Sequence, residues 1–179
     1  AKAKHQKNNL ILTFGGAFSN HIVATAVASK LEGLQSIGVI RGEELGVDLE
    51  KTLEQNATLQ KAHENGMKLY FVSREDYRGK SSEVFVTKLK EKFGDFYLIP
   101  EGGTNSLAIK GCEETLSKED DKFDYFCSAV GTGGTISGLI NASKGGQKII
   151  GFPALKGNFL QKEIQKYTSK SNWELNTDY

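Results

Sequence analysis

Gly131, Thr132, Gly133, Gly134 and Thr135 stand together in the stretch Ala129-Val-Gly-Thr-Gly-Gly-Thr-Ile-Ser-Gly-Leu139. Glycines let a backbone turn tightly and come close to a ligand, and the two threonines add hydroxyl donors. The apolar run before the stretch, residues 123–128, reads as a buried strand, and residues 136–143 read as the start of a helix. A strand, a glycine turn and a helix N-terminus aim several N–H groups and a positive dipole end at one point, which suits a phosphate. The plainer alternative is an ordinary glycine-rich strand–helix turn. A dinucleotide fingerprint would need a third glycine where Ile136 stands and an acidic residue after the next strand. That strand, residues 147–151, runs into Phe152-Pro153 instead. The Gly-Lys-Ser/Thr of an ATP loop is also missing. The loop therefore suits one small monophosphate rather than a nicotinamide dinucleotide or ATP.

Ser19, Asn20 and His21 form a second candidate set at another helix start. Exposed N–H groups beside a hydroxyl and an amide suit a carboxylate or a ring hydroxyl. Ser19 and Asn20 can equally serve only as helix caps. His21 stands between a general base or donor and a structural hydrogen-bonding residue. Gly15-Gly-Ala-Phe-Ser19 does not fit the serine-hydrolase elbow, which needs glycine two residues either side of the serine, and position 21 is His. His5 and His63 lie in polar helical ends and are expected to face solvent. Two distant cysteines and three scattered histidines give no metal-ligand spacing, so no metal is expected. Glu43-Glu44 and Glu119-Asp-Asp121 read as solvated loop charges.

The elements that must position these loops alternate along the chain. Residues 10–14 form a continuous apolar run, the mark of a buried parallel strand. A helix follows to about residue 31, where Ala24, Ala26 and Ala28 allow close packing on a sheet and Gly33 stops it. Further strands are expected over 36–40, 68–72 and 95–99, with a polar loop over 41–48 and helices over 49–65 and 81–93. A second series then reads as a helix over 106–116, a charged turn over 119–122, the strand–glycine loop–helix–strand unit above, and a last helix over 159–167. Strict alternation predicts an α/β protein with parallel doubly wound sheets and flanking helices. Ligands in such sheets sit beyond the carboxyl ends of the strands. The loops at 15–21, 102–106 and 131–135 all lie there, and the expectation is that they converge on one cleft.

Composition bounds the rest. The 179 residues carry 23 Lys and Arg against 22 Asp and Glu, so neither a nucleic-acid groove nor a membrane surface is indicated as a partner. No apolar run reaches the roughly 18 residues that would span a membrane. The opening residues lack the apolar core of a signal peptide. Cys112 and Cys127 are the two cysteines, with Cys127 expected as a small core residue in a reducing, cytoplasmic setting. The first residues read as the tail of a helix, and the end at Trp173-Glu-Leu-Asn-Thr-Asp-Tyr179 shows no domain-closing element, so the chain is expected to be a piece of a longer protein.

Three motifs occur in a telling order: Phe14-Gly-Gly-Ala-Phe-Ser-Asn-His21, Ile99-Pro-Glu-Gly-Gly-Thr-Asn-Ser106 and Val130-Gly-Thr-Gly-Gly-Thr-Ile-Ser-Gly138. Together they resemble the pyridoxal-phosphate enzymes of the tryptophan-synthase-β fold type. Within that type, the chain is most similar to the branch of 1-aminocyclopropane-1-carboxylate deaminase and D-cysteine desulfhydrase. The resemblance runs over essentially the whole chain. The glycine loop marks the broad fold type, and Gly-Gly-x-x-Ser-Asn-His is more specific to the branch. His21 looks like the desulfhydrase members, where the cyclopropane deaminases typically carry Gln.

The resemblance implies pyridoxal 5'-phosphate as cofactor, with Thr132, Gly133, Gly134 and Thr135 on its phosphate and Asn20 on its ring hydroxyl. It implies that Ser19 and His21 bind or act on a small amino-acid substrate, and that the protein is a homodimer. The family's Schiff-base lysine lies upstream of Ser19 in a Gly-Asn-Lys type segment. None of the eighteen residues before Ser19 forms that motif, and Lys2, Lys4 and Lys7 are not given the role. The resemblance implies a small substrate-side domain over residues 8–92 and an incomplete cofactor domain over 93–179. It also implies that this span alone is inactive. The alternatives are a non-catalytic module for a phosphorylated metabolite and, weakened by Ile136, a nucleotide-dependent oxidoreductase.

Overall fold

The computed structural model describes residues 2–6, 8–154 and 159–178. Ala1, Lys7 and Tyr179, which figured in the expectations for the two ends, lie outside the described residues. The chain divides into two units, the first ending at Glu101 and the second starting at Gly102.

In the first unit, α1 (Lys2–His5) leads to β1 (Leu10–Gly15), α2 (Asn20–Leu31), β2 (Gln35–Arg41), α3 (Leu49–Gln55), α4 (Ala57–Glu64), β3 (Met67–Val72), α5 (Arg74–Arg78), α6 (Glu83–Phe93) and β4 (Tyr97–Ile99). The strands form one parallel sheet in the order β3-β2-β1-β4. Successive side chains of a strand point to opposite faces, and each face here has its own core. Leu12, Phe14, Ile37, Val39 and Val72 pack with Tyr77 of α5 and Leu89 of α6. Ile40 and Met67 pack with Ile22 and Ala26 of α2 and with Leu59 and Ala62 of α4. Helices thus cover both faces, as expected of a doubly wound sheet. Each fully buried Leu or Ile contributes about 1.5–3 kcal/mol of apolar burial.

Several local expectations are corrected. The helix expected over 49–65 is two helices, because Asn56 adopts an extended backbone (φ −133°, ψ 92°) and its side-chain oxygen accepts from the Leu59 N–H at 2.9 Å. Asparagine competes with helix continuation through such bonds. Of Ala24, Ala26 and Ala28, only Ala26 is buried, since α2 packs through Ile22, Thr25, Ala26 and Ser29, an i, i+3, i+4, i+7 stripe. The polar loop at 41–48 contains a short 3-10 turn, Glu43–Gly46. In the first unit, which ends at Glu101, β4 pairs with β1.

The second unit contains α7 (Ser106–Glu113), β5 (Tyr125–Val130), α8 (Gly134–Ala142), β6 (Lys148–Pro153), α9 (Phe159–Gln165) and β7 (Trp173–Leu175). Its sheet is parallel in the order β5-β6-β7, with a core of Val130, Ile136, Leu139, Ile140, Ile149, Leu160 and Ile164. The strand at 173–175 was not anticipated; three residues are too short to show a period. It is anchored by Asn172, which donates to the Gln147 carbonyl at 2.7 Å and to Ser143 Oγ at 2.9 Å. Cys127 is not a core residue: β5 is an edge strand of this sheet, and Tyr125, Cys127 and Ala129 are exposed on it. The charged turn at 118–122 is closed by a capping box between Ser117 and Asp120.

Candidate active site

The glycine loop leaves β5 and enters α8 as expected, but its glycines do different work. Gly133 is the N-cap of α8 at φ +89°, a left-handed conformation that L side chains rarely adopt. Gly131 has open space around it, and Gly134 lies against Thr104. Ser137 anchors the first turn, its N–H and hydroxyl both reaching the Gly133 carbonyl, at 3.1 and 2.7 Å. No side chain caps α8. The first N–H groups of a helix have no acceptor within it, so the amides after Gly133 are available to an anion.

The loop at 102–106 meets this one. Gly102 sits at φ +70°, and a Cβ there would lie 2.8 Å from Thr132 Cγ2, so only glycine lets the two backbones approach this closely. Thr104 Oγ1 and Thr132 Oγ1 share a hydrogen bond of 2.5 Å. Asn105 caps α7 by accepting from the N–H groups of Leu107 and Ala108, both at 3.0 Å. Two of the three loops expected to converge therefore do so within the second unit. The third, 15–21, belongs to the first unit.

In that third loop, Ser19 has the extended backbone of an N-cap, yet its side chain makes no cap bond to α2. The capping-only reading is thus removed for Ser19. Asn20, the first residue of α2, is exposed. Side chains of Asp48, Asn56, Ser73, Ser82 and Asn105 cap α3, α4, α5, α6 and α7. Among the α-helices with a described N-cap residue, α2 and α8 are the two without a side-chain cap; the 3-10 turn at Glu43–Gly46 also lacks one. At α8 and α2 the free N–H groups coincide with glycine, hydroxyl and amide groups, a donor set that fits a phosphate in one case and a carboxylate or ring hydroxyl in the other.

His21 is half-buried, its Nε2 lying 2.7 Å from Thr13 Oγ1. Thr13 is fully buried and donates to the Ile99 carbonyl at 3.0 Å. Burial lowers the His21 pKa, opposed by the negative charge of Glu101. Glu101 in turn accepts from the Tyr77 hydroxyl at 2.6 Å and pairs with Lys80 at 3.1 Å. Burial works to raise the Glu101 carboxyl, but the Tyr77 and Lys80 bonds outweigh it and hold the group below its ordinary value. Tyr77, buried and bonded to a carboxylate, is pushed well above its ordinary value. A cavity of about 620 Å³ opens here beside Phe18. Arg41, Arg74, Arg78 and Lys80 line it against two acids, Glu44 and Glu101, so it favours anions. His5 and His63 are exposed.

Thr13 and Tyr77 were not singled out from sequence, and Glu101 and Thr104 stood inside a quoted motif without a role of their own. Thr13 left one signal, a lone hydroxyl inside a fully buried apolar strand. The others depend on tertiary packing.

The shift of His21 has a stability consequence. The fold disfavours the imidazolium, so the His21 contribution is fully present above the ordinary value of 6.5 and is lost as pH falls through the lower folded value. Glu101, also lowered, acts in the same direction at more acid pH. Denaturant unfolding followed from pH 8 to about pH 5 is expected to show a fall in stability that His21→Gln reduces.

No family model matches the chain. The chain is 36% identical over 152 residues to the Arabidopsis thaliana bifunctional D-cysteine desulfhydrase/1-aminocyclopropane-1-carboxylate deaminase, mitochondrial, which covers 78% of this chain and 37% of that one. It is 37% identical over 137 residues to a Thermotoga maritima protein named putative 1-aminocyclopropane-1-carboxylate deaminase, covering 72% of this chain and 41% of that one. The chain belongs to the 1-aminocyclopropane-1-carboxylate deaminase/D-cysteine desulfhydrase family. That family is pyridoxal-phosphate dependent. The chain spans about two fifths of the length of these curated relatives. Among solved structures, an ACC deaminase homologue superposes with TM-score 0.70 at 23% identity, over 97% of this chain and 57% of that one. Serine racemase from Dictyostelium discoideum follows the same fold, with TM-score 0.61 at 18% identity over 85% and 46% of the two chains. Among the described residues no helix is long and apolar enough to cross a membrane.

Proposed function

We propose that the full-length protein is a pyridoxal-phosphate-dependent lyase or deaminase that releases ammonia and a 2-oxoacid from a small amino acid. The observation that supports this most is the pairing of uncapped helix N-termini with donor-rich loops at α2 and α8, where the other α-helices with a described N-cap residue are capped by side chains. In this reading Thr132, Gly133, Gly134 and Thr135 hold the cofactor phosphate through main-chain amides and hydroxyls. Thr104, bonded to Thr132, fixes one of those hydroxyls. Asn20 bonds the ring hydroxyl. When bound, the cofactor supplies an electron sink for charge developing at the substrate Cα.

Ser19 and the first amides of α2 bind the substrate's amino-acid portion, and the cationic cavity beside Phe18 draws in its carboxylate. His21, held neutral by burial, accepts or returns a proton. With D-cysteine, loss of the β-sulfur and hydrolysis by one water give hydrogen sulfide, pyruvate and ammonia. With the cyclopropane substrate, ring opening and hydrolysis by one water give a 2-oxoacid and ammonia. The units ending at Glu101 and beginning at Gly102 serve as substrate-side and cofactor-side parts, and the protein works as a homodimer in the cytoplasm. The binding-module alternative finds no support among the relatives.

The test is a side-by-side assay of the cofactor-loaded full-length protein with D-cysteine and 1-aminocyclopropane-1-carboxylate. Turnover of at least one with release of ammonia is expected. A loaded protein that turns over neither contradicts the reading.

A further inference from the structure

Thr13 has one hydroxyl proton and two close partners. Ile99 offers a carbonyl, which only accepts, at 3.0 Å, and His21 offers Nε2 at 2.7 Å, which donates or accepts according to tautomer. If Nε2 is bare, it takes the Thr13 proton, and the Thr13 oxygen then faces the Ile99 carbonyl with lone pairs on both sides. If Nε2 carries the proton, both contacts are satisfied: His21 donates to Thr13, and Thr13 donates to Ile99. Burial makes an unmet contact costly, and Thr13 is completely buried. Its strand position leaves it no freedom, for it pairs with Gly38 on one side and Ile99 on the other. No described residue bonds His21 Nδ1.

We infer that Thr13 is a positioning residue that locks the His21 ring in the Nε2–H tautomer, so that Nδ1 is kept as the bare, proton-accepting nitrogen. This rests on the reading above that His21 acts on the substrate. It defines which atom of His21 does so, and it makes the strand pair β1–β4 the support of that atom.

The experiment is nitrogen-15 NMR of histidine-labelled full-length protein at a pH where His21 is neutral, with the His21 signals assigned by their loss in His21→Gln. Once the His21 signals are assigned, the wild-type spectrum decides the tautomer without the Thr13 variants. A directly bonded proton on Nε2 and a bare Nδ1 are expected; a proton on Nδ1 overturns the proposal. Thr13→Val is expected to blur the ring signals into exchanging tautomers and to lower kcat about three- to tenfold, the effect of one lost buried hydrogen bond, while Thr13→Ser restores both. Unchanged ring signals in a folded Thr13→Val protein also overturn it. If the ring signals follow Thr13 but kcat does not, the locking stands and the functional role of His21 falls.

Discussion

His21→Ala in the cofactor-loaded full-length protein is expected to lower kcat/KM by about 100- to 10,000-fold, the range for a positioned acid–base group. The ring is half-buried, kept neutral by burial, and oriented by Thr13. Alanine removes the proton acceptor and leaves the Thr13 hydroxyl with the Ile99 carbonyl alone. Cofactor absorbance should survive, since none of the phosphate donors is touched. His21→Gln keeps a polar side chain at the same helix start. It is expected to spare more activity on the cyclopropane amino acid than on D-cysteine, as the family resemblance of Gly-Gly-x-x-Ser-Asn-His implies. Steady-state kinetics on both substrates check this. A change in kcat/KM below about threefold would place His21 among structural residues.

Gly133→Val is expected to weaken cofactor binding about 100-fold or more and to destabilise the protein by about 1–3 kcal/mol, the cost of a side chain forced into the left-handed region. A Cβ at 133 would also stand 3.1 Å from Ile164 Cγ1, in the core beneath the loop. Relief of either strain turns the peptide that aims the first amides of α8, so phosphate affinity should fall by more than stability does. Gly131→Ala is the control, because Gly131 has neither a positive φ nor a neighbour within 4 Å. It is expected to bind cofactor within about threefold of wild type, since a strain-free Gly→Ala change alters stability by only about 1 kcal/mol. Absorbance titration and thermal unfolding measure both effects.

The parallel α/β architecture was legible because its buried strands are apolar runs and its helices end at glycines. The candidate loops were legible because their chemistry is local: three glycines and two threonines between a strand and a helix, or Ser-Asn-His at a helix start. What sequence did not show was decided by packing between distant segments. Asn56 is the exception, a local break in which its own side chain caps the helix that follows. The exposure of Cys127 followed from the edge position of β5, which no local pattern encodes. Thr13 became important only when β4 brought the Ile99 carbonyl alongside β1, eighty-six residues away. Tyr77 and Glu101 likewise meet across the unit, and their bond sets the charge that His21 feels. Even the absence of caps on α2 and α8 was ambiguous in sequence, since Ser19 is a residue that ordinarily caps.

In the proposed site the amides following Gly133 grip a single dianionic phosphate. The most direct measurement is a titration of cofactor-free full-length protein with pyridoxal 5'-phosphate and, separately, with unphosphorylated pyridoxal, in wild type and in Gly133→Val. Wild type is expected to prefer the phosphorylated form by about 100-fold or more, roughly 2.7 kcal/mol, and Gly133→Val to erase most of that preference. Equal affinity for the two forms in wild type, or a preference untouched by the substitution, would contradict the proposed site.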